Sequence, residues 1–325
     1  HTQIKFQNNL SSTTDLNILN YLYYYNGAGV ATADFNNDGF EDLYFVGNQS
    51  EDKLYLNTGN FVFKDITKES LIKNTTPWTT GITTVDINND GFLDIYICKI
   101  GKHNTVSGKN RLYVNQGISK NGIPTFKEDA ATYGLDLISF ATQAAFFDYD
   151  KDGDLDMYLL NHSLHPNSKY GKGSARNKVD KNSGDKIIEN NNGKFTDVSS
   201  ATRIFQGKIG YGLGISIGDL NSDGYPDIYI GNDFFENDYL YINQKNKTFK
   251  EIISSDKTTL GHTSHFSMGN TIADLNNDEQ MDIISLDMLP EDLKTYKTSG
   301  LEYPYQNYEY YLKNGYSPQF MQTHC

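Results

Sequence analysis

Apolar and polar residues alternate in short runs along this chain, and the runs recur in a fixed order. Stretches such as Val30–Asp34 and Ile82–Asp86 alternate with a period of two, and Leu43–Val46 and Ile228–Ile230 are short apolar runs; both predict β-strands. An acidic loop separates the two kinds of run. A third strand is predicted by Leu-Tyr-X-Asn, at Leu54–Asn57, Leu112–Asn115 and Leu240–Asn243. After a short polar turn a fourth begins with Phe, at Phe63–Asp65, Phe126–Glu128, Phe195–Asp197 and Phe249–Glu251. The unit is therefore strand, acidic loop, strand, strand, turn, strand.

The unit occurs five times, around residues 29–67, 81–128, 142–197, 212–251 and 269–290, with its first loop aspartates 52, 62, 71 and 55 residues apart. Four antiparallel strands per repeat is the pattern of a propeller blade, and one such sheet must stack on its neighbours to bury both faces. The expected fold is all-β: a β-propeller of four-stranded blades filling residues 1–325 as a single domain or a piece of a larger one. Residues 4–7 are expected to act as an outer strand fastening the last blade. The polar stretch 162–185 reads as an exposed insertion, and the Tyr-rich residues 291–325 as an insertion or an unfinished blade. Five loops are few for a ring with this repeat length, and the fifth unit lacks a clear outer strand, so further blades are expected in the intact protein.

The loops follow Asp-X-(Asn/Asp)-X-Asp-Gly-X-X-Asp. They are Asp34, Asn36, Asp38, Asp42; Asp86, Asn88, Asp90, Asp94; Asp148, Asp150, Asp152, Asp156; Asp219, Asn221, Asp223, Asp227; and Asp274, Asn276, Asp278, Asp282. Position seven (Phe40, Phe92, Asp154, Tyr225, Gln280) offers its backbone carbonyl. Oxygen donors at alternate positions, with a glycine where the chain turns sharply, suit a large hard cation, and the pattern predicts four to five structural Ca²⁺ ions. Zn²⁺ would favour His and Cys, which the loops lack, and Mg²⁺ a tighter octahedron. The motif is not an EF-hand, because position twelve is Phe45, Ile97, Leu159, Ile230 or Ser285 rather than Glu, and the flanks are strands. Asn-Asp-Gly is also an ordinary turn signal, but a turn does not require four oxygen side chains in register five times over. The fifth loop stands apart because Glu279 replaces the glycine.

These repeats resemble the FG-GAP repeats of integrin α propellers, the VCBS repeats of bacterial exported proteins, and in particular repeat proteins of the ASPIC/UnbV type related to cartilage acidic protein. The segments Ala145–Leu160 and Gly231–Tyr241 carry that resemblance, which extends over about residues 3–290. It implies a seven-bladed type of propeller, calcium in the loops, and secretion or anchoring at the cell surface, with a lipid anchor upstream as one route. Gly27-Ala-Gly29 and Gly212-Leu-Gly214 stand where integrins keep Phe-Gly and Gly-Ala-Pro, so integrin-like ligand recognition is not implied.

Composition narrows the function classes. A formal charge of −13 argues against nucleic acid and anionic membrane partners, and five Ca²⁺ ions would offset most of it. Cys98, in an apolar strand, and Cys325 make no disulfide framework. No run is long and apolar enough for a membrane-spanning helix. The leading expectation is a binding or assembly module for glycan or protein partners at the outer cell surface, in an adhesion or nutrient-uptake complex. Tyr21–Tyr25 and Tyr303–Tyr311 are its aromatic candidates, with packing between blades as the competing role. The alternative is a polysaccharide lyase or hydrolase, for which only the pairs His162 with His165 and His262 with His265 offer themselves, and no catalytic motif is present. Copper chelation by His1 would suit an oxidative polysaccharide enzyme, but the repeats do not match such a fold.

Overall fold

The structure, a computed structural model, describes residues 2–73, 78–166, 169–254, 260, 263–288, 292, 294–295 and 305–316. The chain divides into two compact units, His1–Phe146 with Glu189–Thr196, and Phe147–Ile188 with Asp197–Cys325.

The first unit holds two complete antiparallel sheets. One is β1 (Gly29–Ala33), β2 (Asp42–Val46), β3 (Lys53–Asn57) and β4 (Phe63–Asp65); the other is β5 (Thr79–Val85), β6 (Asp94–Lys99), β7 (Arg111–Ile118) and β8 (Pro124–Glu128). Strands follow one another in sequence order across each sheet, which is the blade pattern the repeats predict. The third repeat contributes to both units: β9 (Ala141–Phe147), β10 (Asp156–Asn161), β11 (Lys186–Asn191) and β12 (Lys194–Asp197). The second unit contains the sheet of β13 (Gly212–Gly218), β14 (Asp227–Asn232), β15 (Tyr239–Asn243) and β16 (Phe249–Glu251), and the pair β17 (Asn270–Ala273) and β18 (Asp282–Ser285). The register is shared: Leu43 faces Tyr55, Ile95 faces Tyr113 and Ile228 faces Tyr241.

Between their polar end residues the second strands are apolar, and every residue of β6, β10 and β14 is buried. In the first unit Phe35, Tyr44 and Leu54 of one sheet pack with Ile95, Ile97, Tyr113 and Phe126 of the next. In the second, Tyr149, Tyr158 and Ile187 pack with Ile228, Ile230, Tyr241 and Phe249. Each such aliphatic side chain contributes roughly 1.5–3 kcal/mol when fully buried. First strands approach their neighbours closely. A Cβ on Gly81 would meet the carbonyl oxygen of Thr142, while Thr80 and Thr83 hydroxyls donate to the carbonyls of Ala141 (2.6 Å) and Ala144 (2.7 Å). Gly212 is equally confined by Leu160, which explains a glycine where the integrin motif is not kept.

Three expectations from sequence change. Residues 4–7 form no strand and run along the first sheet: Phe63 N–H donates to Thr2 O (3.1 Å), Lys5 N–H to the Tyr55 hydroxyl (3.1 Å), and Phe6 stacks on Phe45. The polar stretch 162–185 is not merely exposed. It contains a 3-10 helix, Gly173–Asn177, with Arg176 buried, and it ends in the buried Asp185. Arg176 pairs with Glu236 and Asp185 accepts from Tyr158 and Asn161, so polarity alone misleads. Within 291–325, the described residues include a helix, Tyr305–Lys313, and no strand.

Candidate metal sites and the hydrogen bonds that shape them

Each first strand ends one residue before the position-one aspartate, and each second strand begins at position nine. The intervening backbone takes the same path in all five loops. Position four lies in the left-handed region at Asn37, Asn89, Lys151, Ser222 and Asn277 (φ 55–63°), and position six follows at Gly39, Gly91, Gly153 and Gly224 (φ 85–98°). Glu279 adopts φ 66° at position six of the fifth loop, so the missing glycine does not alter the turn.

The aspartates make this path. Position one accepts two backbone N–H bonds, from positions five and six: Asp34 from Asp38 (3.0 Å) and Gly39 (2.7 Å), Asp86 from Asp90 (3.0 Å) and Gly91 (2.9 Å), Asp148 from Asp152 (3.2 Å) and Gly153 (3.1 Å). Asp219 and Asp274 repeat the pair, the latter with Glu279 N–H. Position five accepts from position seven, as in Asp38 from Phe40 and Asp278 from Gln280. In the other three loops Asp90 serves Phe92, Asp152 serves Asp154 and Asp223 serves Tyr225.

Position nine is more deeply set. Asp42, Asp94 and Asp227 are fully buried. One oxygen of each accepts from the N–H of position two, and the other from the N–H of a third-strand asparagine: Asn57 (2.8 Å), Asn115 (2.7 Å) and Asn243 (2.8 Å). Asp156 and Asp282 accept the same position-two bond from Tyr149 and Leu275. The asparagines reach onward, Asn115 to the carbonyl of Phe35 in the preceding loop and Asn243 to that of Tyr149. Position nine is thus a pin joining the loop to the third strand. Burial pushes the Asp42 carboxyl up to about 7 and those of Asp94 and Asp227 up to about 6; the carboxylates at positions one and five push the same way, and the accepted N–H bonds pull back.

Among the described residues the third loop brings three acidic side chains together: oxygens of Asp148, Asp150 and Asp156 lie within 4.8 Å of one another. Asp152 and Asp154 do not join that group. Elsewhere position three is Asn, whose amide donates to position five, as Asn36 to Asp38 (2.9 Å), Asn88 to Asp90 (2.9 Å) and Asn276 to Asp278 (3.1 Å). The Asn36 carbonyl oxygen is left buried without a hydrogen-bond partner. A crowded carboxylate trio and an orphaned amide oxygen are the donors a hard cation takes, so these residues fit Ca²⁺. The aromatic position-seven side chains serve packing: Phe40 and Phe92 lie over Gly59 and Gly117 of their own sheets, and the Tyr225 ring has the ammonium groups of Lys151 and Lys245 over it.

A second repeated device sits at the other end of the second strand. Buried Asp52, Asp185 and Asp238 each accept a tyrosine hydroxyl, from Tyr44 (3.0 Å), Tyr158 (2.8 Å) and Tyr229 (2.6 Å). Their other oxygen takes the N–H of Gly47, Asn161 or Asn232. Asn110 replaces the acid in the second repeat, donating to the Tyr96 hydroxyl and accepting from Lys99 N–H. The signal was visible in the sequence: a Tyr two residues after position nine, and an Asp or Asn two residues before each third-strand Leu or Ile.

The aromatic and histidine candidates are mostly packed. Tyr21, Tyr23 and Tyr24 are buried, the first and third against Trp78, and only Tyr25 of that run is exposed. Tyr311 stacks on Phe235 at 3.7 Å, whereas Tyr310 is exposed. His162 bridges to Tyr211, and His265 packs between Phe235 and Phe266; both are buried. His1, His262, Tyr303 and Cys325 lie outside the described residues. Cys98 is a buried core residue, as its strand pattern indicates. No helix among the described residues is long and apolar enough to cross a membrane.

The FG-GAP-like repeat model matches residues 34–97, 178–230 and 219–285. Cartilage acidic protein 1 of Homo sapiens is 31% identical over 136 residues, 41% of this chain and 20% of that protein. Its Xenopus tropicalis counterpart is 25% identical over 138 residues, 42% of this chain and 20% of that protein. The matched region thus spans about a fifth of the length of these curated relatives. A solved structure described as the specific recognition of non-reducing terminal N-acetylglucosamine by an Agrocybe aegerita lectin aligns with a TM-score of 0.44 and 17% identity, over 79% of this chain and 60% of that one. The matched segments take in more than half of the residues, and the chain belongs to the FG-GAP-like repeat family.

Proposed function

We propose that the chain is an exported, calcium-stabilised module that binds or assembles with glycan or protein partners at the outer cell surface. The observation that carries the calcium reading is one hydrogen-bond scaffold repeated in five loops, each presenting carboxylates at positions one, five and nine and, at position three, an amide or in the third loop a carboxylate. Positions one, three, five and nine would hold the ion, with the position-seven carbonyl. A bound Ca²⁺ supplies positive charge among crowded carboxylates and so adds folding free energy. The residues of the chain orient the donors: position-one Asp shapes the turn, and position nine ties it to the third strand. Burial closes the His162 and His265 imidazoles to a polymer chain, and His165 is half-buried against Tyr170.

Titration calorimetry and elemental analysis test the metal: four to five Ca²⁺ per chain are expected, with a fall in melting temperature on chelation. An unchanged melting curve and no bound alkaline-earth ion would remove the basis for the reading. A glycan array, run beside assays on anionic polysaccharides, separates binding from turnover. Product formation lost in His162→Ala would move the protein to the enzyme class.

A further inference from the structure

The third loop differs from the other four in its side chains and in one neighbour. It alone carries Asp at position three, Asp150, and Asp at position seven, Asp154. Asp150 cannot donate to position five as the asparagines do. One of its oxygens accepts Asp152 N–H (3.2 Å), and the other lies 2.5 Å from the Lys247 ammonium. The Asp150 side chain is 1% exposed and that of Lys247 53%, so the lysine reaches inward from the surface to a buried carboxylate.

Lys247 belongs to the turn between β15 and β16. Lys245 and Lys247 both sit in the left-handed region, at φ 59° and 67°, where glycine is the usual occupant. The turn therefore sends two ammonium groups to two loops: Lys245 to Asp223 of its own sheet (3.4 Å), and Lys247 to Asp150 of the preceding loop. Lys247 thus stands beside the three converging carboxylates Asp148, Asp150 and Asp156.

Resting on the calcium reading above, we propose that Lys247 is a built-in counter-ion of the third loop. Its ammonium neutralises Asp150 in the metal-free chain and is displaced when Ca²⁺ enters. The most acidic loop consequently binds its ion more weakly than its carboxylates alone would set. A fixed positive charge at contact distance from a ligand opposes a divalent cation, and half-exposure of the lysine reduces the effect without abolishing it.

Calcium titration of the intact chain tests this, with Asp148→Asn used to identify the third-loop step as the one it removes. Lys247→Gln keeps a side chain of L configuration at the strained turn and removes only the charge. The expected result is that the third-loop step tightens roughly tenfold while the other steps stay in place, and that the chelated protein unfolds at lower urea. In an Asp150→Asn background the same substitution should tighten the third-loop step by less than in the parent. Calcium binding by the parent chain with a third-loop step unmoved by Lys247→Gln overturns this inference alone. Absence of calcium binding by parent and variant overturns it together with the calcium reading.

Discussion

Asp94→Ala separates the two roles assigned to the loop acids. The Asp94 side chain is fully buried, and its oxygens accept Asn115 N–H at 2.7 Å and Ile87 N–H at 3.0 Å. Truncation leaves both donors without an acceptor in a site closed to solvent. Each orphaned donor costs about 1–3 kcal/mol, so a loss of roughly 3–5 kcal/mol is expected with no metal present. Asp90, an exposed loop residue, accepts from Phe92 N–H at its own turn. Asp90→Ala should cost under about 1 kcal/mol in chelator, and its larger loss should emerge only in calcium. Urea unfolding of both variants, in chelator and in excess calcium, supplies the comparison. If Asp94→Ala cost no more than Asp90→Ala in chelator, the pin would be refuted and position nine would be a ligand only.

Asp185 and Asp238 give the protein a pH dependence of definite sign. Burial pushes both carboxyls up to about 7, well above the unfolded value near 4, so the folded chain binds these protons more tightly. Their stabilising contribution is complete below pH about 4 and is lost as pH rises through about 7; Asp238→Asn, copying Asn110, should flatten the decline in urea stability measured from pH 5 to 8. Glu279→Gly should raise stability by about 1 kcal/mol, since φ 66° strains any side chain there, and an unchanged urea midpoint would contradict the strain. Glu236→Gln should cost roughly 3–5 kcal/mol, because Glu236 is fully buried and pairs with Arg176 through two bonds of 2.6 and 3.0 Å; a loss under about 1 kcal/mol would show the pair to be dispensable.

The sequence by itself determined what is local. Strand, acidic loop and strand follow from residues within a dozen positions, so period-two alternation and the Asp-X-Asn-X-Asp-Gly spacing were enough to mark every loop and the two strands around it; β11, which lacks the Leu-Tyr-X-Asn signal, was not foreseen. The core role of Cys98 followed from its strand for the same reason. Tertiary structure decided what depends on partners distant in the chain. Nothing local tells that position nine is saturated by an asparagine of the third strand, or that Arg176 in a polar stretch meets Glu236. Likewise only the fold brings Lys247 to Asp150, buries Tyr21 and Tyr24 against Trp78, and lays residues 2–6 along the first sheet. Spacing along a strand fixes which residue types face a loop; the packing of one sheet on the next fixes which of their charges and rings are removed from water, and that removal gives them their energetic weight.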